Sequence, residues 1–323
     1  MLAFAWRRTV YAAAVLLGVH VVTFVLFFAV NTPDDMARMQ LGRRVTSDAI
    51  ERWKAQQGFD RPLFFNAAAP GAASLTNTVF GATTGRAMAL DFGRTNEGIV
   101  ISAELRRRLV PSLMIAVPVF LLVVAASVLA GLALVMLRGT GLERAGVVAL
   151  VAMMSISTLF FIITGQFVFA RALQLAPISG FVPGASSPLY VMLPVGVLLL
   201  AYLGPEARLF RAIFLEELGK DYVRPARAKG LGEFGVMSHV LRNSLIPIIT
   251  SSGLLLPVVF TSTIVTETFF TIPGLGSFTI EGITQQDFNI VRAMVFVGSS
   301  LYILAFLLTD LAYCWADPRV RLR

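Results

Sequence analysis

Asp221 to Pro247 reads DYVRPARAKGLGEFGVMSHVLRNSLIP, a charged, glycine-punctuated segment between long apolar runs. No hydrocarbon core holds such a segment, so the apolar runs on either side are separate crossings. The rest of the chain supplies them in number. Of 323 residues, 56% are hydrophobic and only 14% charged, and the mean hydropathy is +0.76. Soluble domains carry roughly 25% charged residues. This is the composition of an integral membrane protein.

A helix needs about 20 mainly apolar residues to cross a hydrocarbon core of roughly 30 Å. Six runs qualify: Thr9 to Val30, Val110 to Leu137, Gly146 to Ala170, Leu189 to Leu203 (the shortest), Leu245 to Thr266, and Val291 to Trp315. Lipid offers no partner for free backbone groups, so each is expected to be helical, with kinks at Pro118, Pro194 and Pro257. The expected fold is an all-α polytopic membrane protein with six transmembrane helices. Its divisions are 1–30 (N-terminus and first helix), 31–109 (a large external loop region) and 110–323 (the remaining spans). The last includes a cytoplasmic loop, 205–244, with a short helix between spans four and five.

Charge placement sets orientation. Arg7 and Arg8 precede the first span, Arg138 and Arg144 lie between the second and third, and Arg319, Arg321 and Arg323 follow the sixth. The connection between spans four and five holds Arg208, Arg211, Lys220, Arg224, Arg227, Lys229 and Arg242, whereas Glu267 to Ile290 contains acids and an absence of Lys and Arg. The positive-inside rule places both termini in the cytoplasm. Asn31 to Leu109 is rich in arginine, yet long segments translocate largely regardless of charge. The net charge of +8 is therefore a topological signal, dispersed over membrane-flanking loops rather than gathered for nucleic acid. Cys314 is the single cysteine, so no disulfide framework exists. The first span lacks a small-residue cleavage site before Asn31-Thr32-Pro33, which favours a retained signal-anchor over a cleaved signal peptide.

Within 31–109, Asp48-Ala-Ile-Glu51 offers an N-cap for a short helix that ends at Gly58 with Ile50 and Trp53 on one face. Asn66 to Gly85 is mostly Ala, Gly, Thr, Ser and Asn and is expected to be a pliable loop with little core. This region serves either as a solvated cap or as a docking surface for an external partner. In the polar island, Pro225 suits the first turn of a short helix, and Gly230 or Gly232 suits a left-handed cap at its end. Tyr222, Ala226 and Lys229 would share one side, Val223 and Arg227 another. Such a helix fits another protein's groove or lies on the membrane surface.

Catalytic chemistry finds no support. Gly230-Leu-Gly-Glu-Phe-Gly235 spells G-x-G-x-x-G, but membrane spans flank it where a dinucleotide site needs a strand and an opening helix. No G-x-x-x-x-G-K-[ST] occurs, so nucleotide phosphates are not cradled in that manner. His20 and His239 are the two histidines, one in a span and one in the cytoplasmic loop, which argues against a metal site or a triad. Spans two to five hold no Asp, Glu or Lys at their centres, against proton or sodium coupling. The energy must come from other chains, and no cofactor is expected.

The island resembles the cytoplasmic coupling loop of binding-protein-dependent ABC transporter permeases, specifically the oligopeptide/dipeptide permease family. The matching residues are Asp221-Tyr222-Val223-Arg224, Ala226-Arg227-Ala228-Lys229-Gly230-Leu231, His239, Arg242-Asn243 and Leu245-Ile246-Pro247. Further matches are Glu267-Thr-Phe-Phe270, Ile272-Pro273-Gly274-Leu275-Gly276, Asp310-Leu-Ala-Tyr313 and Asp317-Pro318-Arg319-Val-Arg321. Gly58-Phe-Asp-Arg-Pro62 and Asp91-Phe-Gly-Arg-Thr95 extend the likeness over nearly the whole chain. Pro225 departs from it by replacing a small hydroxyl residue.

The resemblance implies a bacterial inner-membrane importer. Two homologous permease subunits form the path for peptides or peptide-like solutes, two ATPase subunits bind from the cytoplasm, and a solute-binding protein delivers substrate outside. It implies that Asp221, Tyr222, Arg224, Ala226, Arg227, Ala228, Lys229, Gly230 and Leu231 form the ATPase contact. Arg224, Arg227 and Lys229 supply its polar contacts, and Ala226, Ala228 and Gly230 allow close approach. Pro273, Gly274 and Gly276 shape an external turn near the binding protein. The alternatives are a stand-alone ion-coupled carrier or channel, and a membrane scaffold without transport.

Overall fold

The computed structural model describes residues 2–30, 32–42, 44–67, 70–71, 73–184 and 187–316. Asn31, the Asp317-to-Arg321 motif and Arg323 lie outside them. Regular structure is helical in chain order: α1 (Leu2–Val30), α2 (Pro33–Leu41), α3 (Ser47–Gln57), α4 (Ala73–Thr76), α5 (Val79–Met88), α6 (Ile101–Met136) and α7 (Gly141–Ser155). Then come α8 (Thr158–Gly165, continued by a wider-wound Gln166–Ala172), α9 (Ser187–Leu218), α10 (Val223–Ala228), α11 (Glu233–Asn243), α12 (Leu245–Phe270), α13 (Leu275–Thr284) and α14 (Phe288–Ala316). Arg94 and Val100 form an isolated bridge, and no strand occurs among the described residues. Helices α1, α6, α9, α12 and α14 are each long and apolar enough to cross a membrane, and α7 with α8, sharply bent, has the length and apolarity of a sixth crossing only when the pair is taken as one span.

Helices α1 and α6 begin earlier than expected, at Leu2 rather than Thr9 and at Ile101 rather than Val110, and two further spans differ in course. The third begins at Gly141 rather than Gly146, and α7 and α8 meet at 95° instead of forming one rod. Ile156 and Ser157 are extended at the break, and the Ser157 hydroxyl accepts the Phe160 N–H at 3.3 Å, starting a new helix where the old one would have continued. The fourth span does not stop at Leu203. Helix-forming Ala, Leu, Glu and Arg residues carry α9 on to Leu218, and Ala207, Phe210 and Phe214 on that extension are fully buried. A 32-residue helix is about 48 Å long and exceeds a hydrocarbon core of about 30 Å, so its charged C-terminal part projects. There the Arg211 guanidinium pairs with Glu143 of α7, whose carboxylate also accepts the Gly139 N–H at 2.6 Å.

The chain divides into two compact units, one of residues 2–108 with 278–303, the other of Leu109–Ser277 with the segment from Leu304 on. In the first, Phe24 and Phe28 of α1 pack with Met36, Ile50, Trp53, Phe59 and Val79. The helix ending at Gly58 is present, with Ile50 and Trp53 buried, but it begins after Thr46, and Asp48 lies in its first turn, paired with Arg52 at 2.7 Å. Within the expected pliable loop of 66–85, residues 73–85 are ordered instead. They contain α4 and the start of α5, with Val79 fully buried, and the Thr78 hydroxyl donates to Leu75 O (2.7 Å) while accepting the Gly81 N–H (3.0 Å). A methyl on Gly81 would lie 2.8 Å from Thr76 Cα, so small residues here serve close packing.

In the second unit, α9 packs against α7, α8, α11 and α12. Its core joins Ile115, Val119 and Val123 of α6 with Ile162 of α8, Leu198 of α9, and Leu255 and Val259 of α12. Gly253 of α12 lies directly against Thr309 of α14, one turn before Pro257.

Candidate functional site

The island and the Ile272–Gly276 turn flank the two ends of α12, whose 26 residues span about 39 Å. At the N-terminal end, α10 is held from one side only. Val223 is buried among Val135, Phe210, Phe214, Val236 and Ile248, with Tyr222 and Leu231 packed against the same cluster. Burial of such a valine contributes about 1.5–3 kcal/mol. Burial also pushes the Tyr222 phenol above its ordinary pKa, and the hydrogen bond to Glu217 holds the Lys220 ammonium above its own.

The rest of α10 faces outward. Asp221, Arg224, Pro225, Arg227, Ala228, Lys229 and Gly230 are exposed, and Ala226 is half-buried. Val223 and Arg227 therefore lie in different environments rather than sharing a side. Arg227 reaches Glu233 of α11 at 3.2 Å, an exposed pair worth at most about 1 kcal/mol. Of the two expected glycine caps, Gly230 is the one used. It is left-handed at φ +80°, its N–H donates to Arg227 O (2.9 Å), and the Leu231 N–H donates to Ala226 O (3.3 Å). That paired closure needs a left-handed residue, for which glycine carries no Cβ penalty.

At the other end of α12, the buried polar groups are tied down. Glu267 is 0% exposed. Its carboxyl accepts from Ser112 Oγ of α6 (2.6 Å) and from the Ser277 N–H (2.9 Å), while Ser112 Oγ accepts the Leu275 N–H (2.7 Å). The last carbonyls of α12 are also met, Phe270 O by the Gly180 N–H (2.8 Å) and Phe269 O by Gln166 Nε2 (3.2 Å). Gly274 and Gly276 are buried and Pro273 half-buried. A methyl on Gly274 would overlap the Glu267 carboxylate, and one on Gly276 would lie 2.8 Å from Ile264 N, so both positions require glycine. The closure at Thr271 copies the one at Gly230, with Thr271 N–H donating to Thr268 O (3.3 Å) and Ile272 N–H to Glu267 O (2.8 Å), yet a β-branched residue holds φ +54°.

The structure thus brings the nine island residues onto one short element and its edges, with Tyr222 and Leu231 serving as its anchors. Pro273, Gly274 and Gly276 form one tight turn. Sequence reasoning missed three participants. Glu267 reads as a loop acid, because its partner Ser112 lies far away in the chain. Thr271 carries no left-handed signal. Phe234, 81% exposed on α11 beside Glu233, is an aromatic inside a polar segment and was visible as such. Glu281 and Asp287 are likewise committed, Glu281 to Arg108 (2.8 Å) and Asp287 to the N–H groups of Asn96 (2.6 Å) and Asn289 (3.1 Å). No group of His, Cys, Asp and Glu suited to a metal occurs among the described residues.

Comparison with known proteins places this arrangement. The family model described as "Binding-protein-dependent transport system inner membrane component" matches residues 108–322, and its N-terminal companion matches residues 1–82. A Brucella abortus (strain 2308) protein carrying the name peptide transport system permease protein is 29% identical over 329 residues, 99% of each chain. The "Probable D,D-dipeptide transport system permease protein DdpB" of Escherichia coli (strain K12) is 30% identical over 334 residues, covering 95% of this chain and 94% of its own. The "Dipeptide transport system permease protein DppB" of Bacillus subtilis (strain 168) is 37% identical over 155 residues, 48% of this chain and 49% of its own. The chain belongs to the family of binding-protein-dependent transport system inner membrane components, a multi-pass permease subunit and not an enzyme.

Proposed function

We propose that this permease forms part of the translocation path for peptides or peptide-like solutes, and that α10 is its coupling contact with an ATPase subunit. The observation that carries the reading is the one-sided anchoring of α10. Val223, Tyr222 and Leu231 fix it to the helix cluster, while Arg224, Arg227 and Lys229 stand exposed among small residues. Small residues let a partner's backbone approach, and exposed cations supply charge-assisted hydrogen bonds. In this reading both termini and 205–244 are cytoplasmic, 31–109 and the Pro273-to-Gly276 turn face outward, and a solute-binding protein docks on the outer side. A second homologous permease and two ATPase subunits complete the assembly, with lipid around it and nucleic acid as no partner. The names of the relatives support the peptide class.

ATP would act through differential affinity, favouring the outward-facing assembly over the inward-facing one. The test is ATP hydrolysis and peptide uptake by the reconstituted assembly with its binding protein. Arg227→Glu with Lys229→Glu should lower uptake at least about tenfold, a loss of roughly 1.4 kcal/mol of coupling, with membrane insertion intact. Unchanged uptake and unchanged ATPase stimulation in that variant would sink the assigned contact.

A further inference from the structure

The unit of residues 2–108 and 278–303 holds a cavity of about 100 Å³ that none of the features above uses. Its walls come from α1 (His20, Phe24), the end of α5 (Arg86), the segment after it (Asp91, Phe92) and the start of α14 (Arg292, Phe296). Arg292 is the unusual member. Its Nε is buried with no hydrogen-bond acceptor, and its guanidinium lies 5.5 Å from the Phe59 ring centroid and 5.9 Å from that of Phe28. One terminal nitrogen donates to Asn289 Oδ1 at 2.7 Å. Arg86 repels it, and Asp287 attracts it from beyond ion-pair distance.

Neither arginine has a carboxylate within ion-pair distance among the described residues. The nearby acids are used elsewhere. Asp91 accepts the Gly93 N–H at 3.0 Å, and Asp287 accepts three backbone N–H groups, those of Asn96, Asn289 and Ile290. His20 shares a hydrogen bond with the Thr84 hydroxyl at 3.0 Å and supplies no anion. The Phe28 and Phe59 rings lie within cation–π range of the guanidinium. A buried donor without an acceptor beside a like charge is nonetheless costly, and an oxyanion would relieve both.

We propose that this cavity is a binding site for a phosphate group, with Arg292 and Arg86 as its cationic ligands. The volume limits the guest. An enclosed cavity of about 150 Å³ takes benzene; this one is smaller and partly open, so it seats a single oxyanion with the rest of the guest lying outside it. A lipid source is at hand, because the face of α1 away from the cavity exposes Val15, Val22 and Leu26. A soluble phosphate offers the same chemistry.

The test uses the full chain within its assembly in lipid nanodiscs. Three conditions are compared at equal ionic strength: the phosphate-free lipid digalactosyldiacylglycerol alone, the same lipid with phosphatidylglycerol, and the same lipid with inorganic phosphate. Thermal midpoint and native mass spectrometry are read for the wild type, Arg292→Gln and Arg86→Gln. Phosphatidylglycerol or inorganic phosphate should raise the wild-type midpoint by several degrees, and each variant should lower retention of the anion at least about fivefold. A response to phosphatidylglycerol alone identifies a lipid headgroup, and a response to inorganic phosphate identifies a soluble source. Arg86 is exposed, so its variant remains informative if Arg292→Gln fails to fold. The proposal is overturned if neither phosphate source binds, or if both variants retain the anion as the wild type does.

Discussion

The two ends of α12 use the same backbone closure and opposite engineering around it. At the α10 end the left-handed residue is Gly230, unstrained, and the cations beside it are exposed. At the Glu267 end the left-handed residue is Thr271, strained, and Glu267 and Ser112 nearby are buried and hydrogen-bonded to each other. A left-handed conformation costs a residue with a Cβ roughly 1–2 kcal/mol, and it persists only where neighbours over-determine it. Strain is therefore kept where the surroundings are firm. The loosely held end is free to be specified by a partner.

The comparison breaks most easily at the firm end. Glu267→Ala leaves the Ser112 hydroxyl and the Ser277 N–H buried without an acceptor, and should cost about 2–4 kcal/mol, read as a fall in thermal midpoint and in folded yield. Wild-type stability in that variant would show that water replaces the carboxylate. Gly276→Ala drives a methyl into the Ile264 backbone and should cost about 1–3 kcal/mol in the same assay. Exchanging the two caps sharpens the contrast. Gly230→Thr should destabilise by about 1–2 kcal/mol, whereas Thr271→Gly should be neutral or stabilise by less than about 1 kcal/mol. A large loss from Thr271→Gly would mean that the Thr271 side chain carries an interaction beyond the closure.

The smallest stability effect should accompany a large functional one. Arg227→Glu and Phe234→Ser each remove only exposed contacts and should move stability by under about 0.5 kcal/mol. Under the proposed contact, uptake by the assembly should nonetheless fall several-fold in each. Stability loss with uptake intact in either variant would reverse the roles assigned to the two ends.

Much of the fold was legible because bilayer physics leaves few choices. Five of the six apolar runs are single helices long enough to cross and the remaining one is the bent α7–α8 pair, and Gly58 and Gly230 marked helix ends because a left-handed cap favours their type. The break at Ile156-Ser157 was hidden, since serine is compatible with a continuous span and nothing local announces that it will cap instead. The packing of 73–88 was hidden by composition, because the same small residues serve a loose loop and a close contact. Glu267 was hidden for a third reason. An ionisable residue in a connection reads as solvated until a distant element closes over it, as Ser112 does over Glu267. The island's exposed face was legible because its charges have no apolar stripe to share.

The elbow between α7 and α8 has a consequence for solvation. Each helix terminus leaves about four backbone groups without an intrahelical partner, and the Ser157 hydroxyl answers one of them. Ile156 and Ser157 are exposed. Bare amides and carbonyls in hydrocarbon cost several kcal/mol each, and irregular backbone at membrane depth survives only against protein or water. Acyl chains are thus the wrong neighbour for this corner, and a wet lumen or the surface of another chain is the right one. With Cys314 replaced, Ile156→Cys should react with a membrane-impermeant thiol reagent, or be shielded from it only when the complete assembly is present. Burial in lipid under both conditions would contradict that solvation.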